Sequence, residues 1–183
     1  MVMAVVIKRT TRRVCLLVAL CVSPSVFAVE SKMAAFSDAQ QQTISEFKSL
    51  AYTTMARRYT QYSKLFNLCQ QLPEDAACGE RYDSAESEYL AVKSVHGVFS
   101  MLLEEGMTRL PLPEMAYREV SDALIDLGVM PKQNVDSAID ANALLAVVQR
   151  WQRKHQLPAS EYITMLDYVM IRTDAFASDI QVQ

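Results

Sequence analysis

The chain has 183 residues, with 18 Lys and Arg against 21 Asp and Glu. That balance excludes nucleic acid as the main partner, since phosphate binding rests on Lys and Arg. Four glycines, six prolines and two histidines, with few alternating β-branched runs, exclude a turn-rich β protein and favour an all-α fold. They also leave a zinc site dependent on carboxylates or cysteines, so no metal and no cofactor is expected.

Residues 1–28 read as an export signal. Lys8, Arg9, Arg12 and Arg13 form a basic start, Val14 to Val22 an apolar core, and Val26-Phe27-Ala28 a small-residue cleavage site. The apolar run is shorter than the roughly 20 residues a membrane-spanning helix needs. Cleavage after Ala28 removes four of the 18 cations and none of the 21 carboxylates, so 14 against 21 leaves a mature chain at −7. A periplasmic or secreted location follows, reached by the general secretory route. Residues 29–36 form a short linker.

Residues 37–106 carry two long helical patterns. Ser37-Asp38 offers an N-cap, and Ile44, Phe47, Ala51, Met55, Tyr59, Tyr62, Phe66 and Cys69 stay on one face for many turns. The pattern stops near Leu72, because Pro73 cannot extend the hydrogen-bond ladder. Tyr82, Ala85, Tyr89, Val92, His96, Phe99 and Leu103 then alternate spacings of three and four, a heptad seam. Two such helices across a short loop predict an antiparallel hairpin. Cys69 and Cys78 flank that loop, and in an oxidising compartment they are expected to form a disulfide staple. A lone seam histidine such as His96 reads as a boundary residue, not a ligand.

Residues 107–116, with Leu110-Pro111-Leu112-Pro113, read as an extended connector. Beyond it, Val120, Ala123, Leu124 and Leu127 form a stripe that ends at Gly128, a C-cap residue. Asp136 to Asp140 supplies a turn and an N-cap for the helix bearing Leu144, Val147, Val148 and Trp151. Ser160 is expected to cap a third helix with the stripe Ile163, Leu166, Val169 and Met170. Residues 173–183 read as a polar tail.

The order Ala123-Leu124-Ile125-Asp126-Leu127-Gly128, Val135-Asp136, Val148-x-x-Trp151-Gln152-Arg153-x-His155-x-Leu157-Pro158, then Thr164 resembles the three-helix peptidoglycan-binding domain, over residues 117–172. The resemblance implies a small bundle whose signature residues are Leu124, Leu127, Gly128, Val148, Trp151, Gln152 and Leu157. It further implies that Trp151 is a core residue and Gln152 a polar anchor of the adjoining loop. The family usually has Gly where this chain has Gln156, and Asp-Gly near Ser160-Glu161. A loop without those glycines is expected to take another path, since it loses access to positive φ. Arg150, Arg153, Tyr162 and Asn142 are the candidate ligand contacts, because their donors suit the amides and carboxylates of a wall stem peptide.

The fold expected is therefore all-α, a long disulfide-stapled hairpin followed by a small peptidoglycan-binding-like bundle. The sequence contains no His-Glu-x-x-His, nucleophile elbow or glycine-rich phosphate loop, so a non-enzymatic envelope protein that binds peptidoglycan is expected. The alternative is a periplasmic interaction or assembly factor whose hairpin engages a protein partner or a second copy through Tyr52, Met55, Tyr59 and Tyr62.

Overall fold

The computed structural model describes residues 36–132 and 138–182. The signal segment, nearly all of the short linker and the Val135-Asp136 turn lie outside the described residues. The fold is all-helical: α1 Asp38–Gln71, α2 Glu80–Glu105, α3 Tyr117–Asp126, α4 Ala141–Lys154 and α5 Met165–Val182, with short 3-10 turns at Ala76–Cys78 and Glu114–Ala116. Among these helices none is long and apolar enough to cross a membrane.

α1 opens on a capping box. Ser37 Oγ accepts from the Gln40 amide, and Gln40 Oε1 accepts from the Ser37 amide at 2.9 Å, which satisfies two otherwise orphaned donors. It closes at Leu72, directly before Pro73. Ring pairs Tyr62–Tyr82, Tyr59–Tyr89 and Tyr52–His96 step down α1 as they step up α2, so the two helices run antiparallel. The Cys69–Cys78 disulfide joins their ends, with Cα atoms 5.4 Å apart.

The stretch expected to be a polar tail, residues 173–183, is instead helical through Val182 as the second half of α5. Thr173 is buried there, and its hydroxyl donates to the Val169 carbonyl at 2.7 Å. The cap also differs from expectation. Thr164, not Ser160, opens α5: Thr164 Oγ1 accepts from the Asp167 amide at 3.1 Å while Asp167 Oδ2 accepts from the Thr164 amide at 2.9 Å. Ser160 is held by Gln152 instead, so its oxygen is engaged elsewhere.

α5 packs on α1, α2 and α3, and one apolar core takes residues from all five helices. Ile44 and Phe47 of α1, Phe99 and Leu102 of α2, Leu124 of α3, Leu144 and Trp151 of α4, and Met170 and Ile171 of α5 share it. Each such side chain contributes roughly 1.5–3 kcal/mol on burial. The connector is stitched in as well. Leu112 N donates to Ile163 O at 2.9 Å and Met165 N to Leu110 O at 2.8 Å, and Pro111 bridges to Thr164.

One charged group crosses the interior. Arg58 is 3% exposed, yet its guanidinium reaches Glu88 of α2 and Asp179 of α5, each at 2.6 Å. Both carboxylates remain partly solvated, so the ion pairs tie three helices together with less desolvation than a fully buried triad would suffer.

Candidate functional site

The loop between α4 and α5 is built from α4 outward. Leu157 N donates to Gln152 O at 2.9 Å and Gln156 N to Arg153 O at 3.1 Å, the paired bonds of a Schellman ending. That ending needs a left-handed residue, and Gln156 supplies it at φ 58°. At Gln156 the expectation of another path is thus corrected: the chain keeps a left-handed turn there and accepts the strain of a Cβ, whereas Ser160 and Glu161 do not take positive φ.

Gln152 then fixes the loop. Its Nε2 donates to Ser160 Oγ at 2.8 Å and to Asp167 Oδ1 at 2.7 Å, while its Oε1 accepts from the Ser160 amide at 3.2 Å. Gln149 Nε2 donates to the Ser160 carbonyl at 2.8 Å. The carboxylate of Asp167 also accepts from Thr164 Oγ1 at 2.7 Å. Burial pushes the Asp167 carboxyl above the usual carboxylate range, and the bonds from Thr164 and Gln152 oppose that rise.

This network floors a cavity of about 390 Å³. Its buried side includes Gln152, Thr164, Leu166, Asp167 and Met170, and its rim Arg109, Glu161 and Tyr162. Tyr162 OH donates to the Arg109 carbonyl at 3.1 Å, which ties the loop to the connector. The Gln152 amide spends its donors and its acceptor inside the protein. A ligand would therefore meet the rim, where a guanidinium and a carboxylate face solvent together.

Of the four residues expected to contact a ligand, Tyr162 lines this cavity and Arg150, Arg153 and Asn142 do not. Arg150 and Arg153 are exposed along α4, and Asn142 sits in its first turn, where its amide donates to the capping Asp140 at 2.9 Å. Arg109 was not singled out from the sequence. The signal that could have found it is the extended Leu110-Pro111-Leu112 run, which pairs with residues 163–165 and so carries Arg109 to the loop.

Trp151 is a core residue, 1% exposed. Its Nε1 donates to Asp174 Oδ2 at 3.1 Å, and its ring meets Phe47 edge-on and lies beside His155. His155 Nε2 lies 3.5 Å from the same Asp174 oxygen without the alignment a hydrogen bond needs. Burial lowers the His155 pKa, with Asp174 pulling the other way. Among the described residues no group of three His, Cys, Asp or Glu side chains is placed to hold a metal ion.

The architecture defines a disulfide-closed, all-helical protein with a small polar-rimmed cavity. No protein-family model, curated protein or solved structure matches the chain.

Proposed function

We propose that this is an exported, non-enzymatic envelope protein that binds peptidoglycan through the cavity at the α4–α5 loop, with α3, α4 and α5 as its peptidoglycan-binding-like part. The observation that carries the reading is the cavity. It lies among the loops beside α4, and its volume, about 390 Å³, falls within the roughly 300–1,000 Å³ of small-ligand sites. Arg109 and Glu161 on the rim suit the carboxylates and amines of a stem peptide, and Tyr162 adds a flat apolar face with a polar edge. The burial of Trp151 and the hydrogen bonds from Gln152 to the Ser160 loop support the reading. The disulfide is compatible with an oxidising compartment.

The test is co-sedimentation of the oxidised mature chain, residues 29–183, with purified sacculi, beside Arg109→Ala, Tyr162→Ala and the double variant Arg150→Ala/Arg153→Ala. Saturable pelleting that falls in the first two variants and holds in the third supports the cavity as the site. Folded protein that stays in the supernatant sinks wall binding. An interaction factor acting through α1 and α2 is the second reading, favoured by the aromatic surface those helices expose.

A further inference from the structure

α1 and α2 each repeat an aromatic position every seven residues. On α1 these are Tyr52, Tyr59 and Phe66, and on α2 they are Tyr82, Tyr89 and His96. Two of the three steps meet directly across the helices, and the third, Phe66 and Tyr82, is joined through Tyr62. Tyr52 faces His96 at 5.8 Å between centroids and Tyr59 faces Tyr89 at 5.4 Å, while Tyr62 lies 6.0 Å from Phe66 and 5.7 Å from Tyr82. The result is a ladder along the α1–α2 seam. Arg58 turns to α5, and Tyr59, about 100° further round the helix, turns outward.

Tyr52 is 58% exposed, Tyr59 53%, Phe66 41% and, on α2, Leu90 52%. On α2 the repeat itself is half-buried against α1, so the open apolar face is the seven-residue repeat of α1 with Leu90 beside it, half of a coiled-coil-like packing whose complement must carry the same period. This chain carries it. The face also has a sign pattern: Glu86, half-buried and accepting from Tyr62 OH at 3.4 Å, and the exposed Lys93 lie symmetrically about the Tyr89–Leu90 midpoint of α2. A two-fold axis crossing α2 at that midpoint lays α2 antiparallel on its copy and sets Glu86 opposite the partner's Lys93, twice per dimer. In the ladder's own register the axis crosses α1 between Arg58 and Tyr59, which sets Met55 opposite the partner's Tyr62, a favourable sulfur–aromatic pairing. The size is sufficient. A 26-residue helix is about 39 Å long, and two helices abreast are about 20 Å wide, so the face is on the scale of the ~800 Å² per partner of a standard interface.

We propose that a second copy of this chain covers the ladder, giving an isologous dimer in which α1 and α2 of each protomer form an antiparallel four-helix layer. Sedimentation equilibrium of the oxidised mature chain, residues 29–183, tests it. The expected result is a dimer with a Kd on the order of micromolar. Glu86→Lys and Lys93→Glu should each weaken it about tenfold, because like charges then face each other at two sites. The double variant Glu86→Lys/Lys93→Glu should return to within about threefold of the original, a rescue that a merely structural role for either residue would not give. A chain that stays monomeric to roughly 100 µM overturns the proposal and leaves the ladder to a different protein. A dimer indifferent to the single reversals, or one that the double variant fails to rescue, overturns it equally, since association then uses another surface or another register.

Discussion

Gln156 holds its backbone at φ 58°, where a Cβ costs about 1–2 kcal/mol. α3 ends in the same hydrogen-bonded turn with Gly128 at φ 66°, so one motif is present with and without its preferred residue. Gln156→Gly is expected to stabilise the protein by about 0.5–1 kcal/mol once the added freedom of the unfolded chain is subtracted. Gly128→Ala, whose new Cβ meets nothing within 4 Å, should cost about 1 kcal/mol from backbone strain alone; urea titration of both variants measures the pair. His155 gives a pH dependence. Burial lowers its folded pKa below 6.5, so the unfolded chain takes up the proton first as pH falls. Its contribution is therefore full above pH 6.5 and is lost as pH drops through that value toward the lowered folded pKa. Thermal melts between pH 7.5 and 5 should show His155→Phe flattening that slope, and an unchanged slope would refute the assignment. Asp167 has the opposite sign: its raised folded pKa favours the native state below the unfolded value, and that contribution is lost as pH rises through the folded one. At this scale the sequence was legible where pattern and chemistry agree, as for Trp151 on its apolar stripe. It was silent at Arg58, because an arginine in a 34-residue helix reads as solvated until Glu88 and Asp179 are known to converge on it.

The turn between α1 and α2 rests on several local devices. Pro73 ends α1, Asp75 Oδ1 accepts from the Ala77 amide at 2.8 Å, and the Cys69–Cys78 disulfide closes the loop across a separation of nine residues. Gly79, which precedes α2, brings no side-chain cap, so the disulfide and the short 3-10 turn position the start of that helix. Loop-closure entropy predicts that Cys69→Ser/Cys78→Ser costs about 2–3 kcal/mol. Oxidised wild type compared with this variant in guanidinium should show that loss with little change in the helix content of the native state. An equal midpoint for the two would mean the loop is already ordered in the unfolded chain. Pairing of these cysteines and the extents of α1 to α4 were readable, because caps, prolines and heptad spacing act within a few residues of where they stand. The length of α5 was not. Thr173, Asp174, Ser178 and Asp179 make its second half look solvent-facing, whereas Thr173 bonds back to its own helix, Asp174 holds Trp151 and Asp179 meets Arg58. Each of those partners comes from outside the local pattern or is visible only once the helix exists.

A hairpin and a separate bundle would each need an apolar core of its own, and here the core is shared. Phe47 of α1 lies 5.6 Å from Trp151 of α4 between ring centroids, and Asp179 of α5 reaches back to α1. The connector is paired to the residues just before α5. Removing any of α1, α2 or α5 would therefore expose residues from the other two, and the described chain should unfold as one cooperative unit. Two probes can separate this from independent modules. The single tryptophan, Trp151, reports the α4–α5 side by fluorescence, while far-UV circular dichroism is dominated by α1 and α2, the two longest helices. The expected outcome is coincident urea transitions with one midpoint and one slope. A chain stopped after Arg172 loses Asp174, Phe176 and Asp179 together, and both signals should then shift to lower urea by the same amount, corresponding to at least about 3 kcal/mol. Separate midpoints in the full chain, or a truncation that moves the tryptophan signal alone, would mean that α1 and α2 fold without α5.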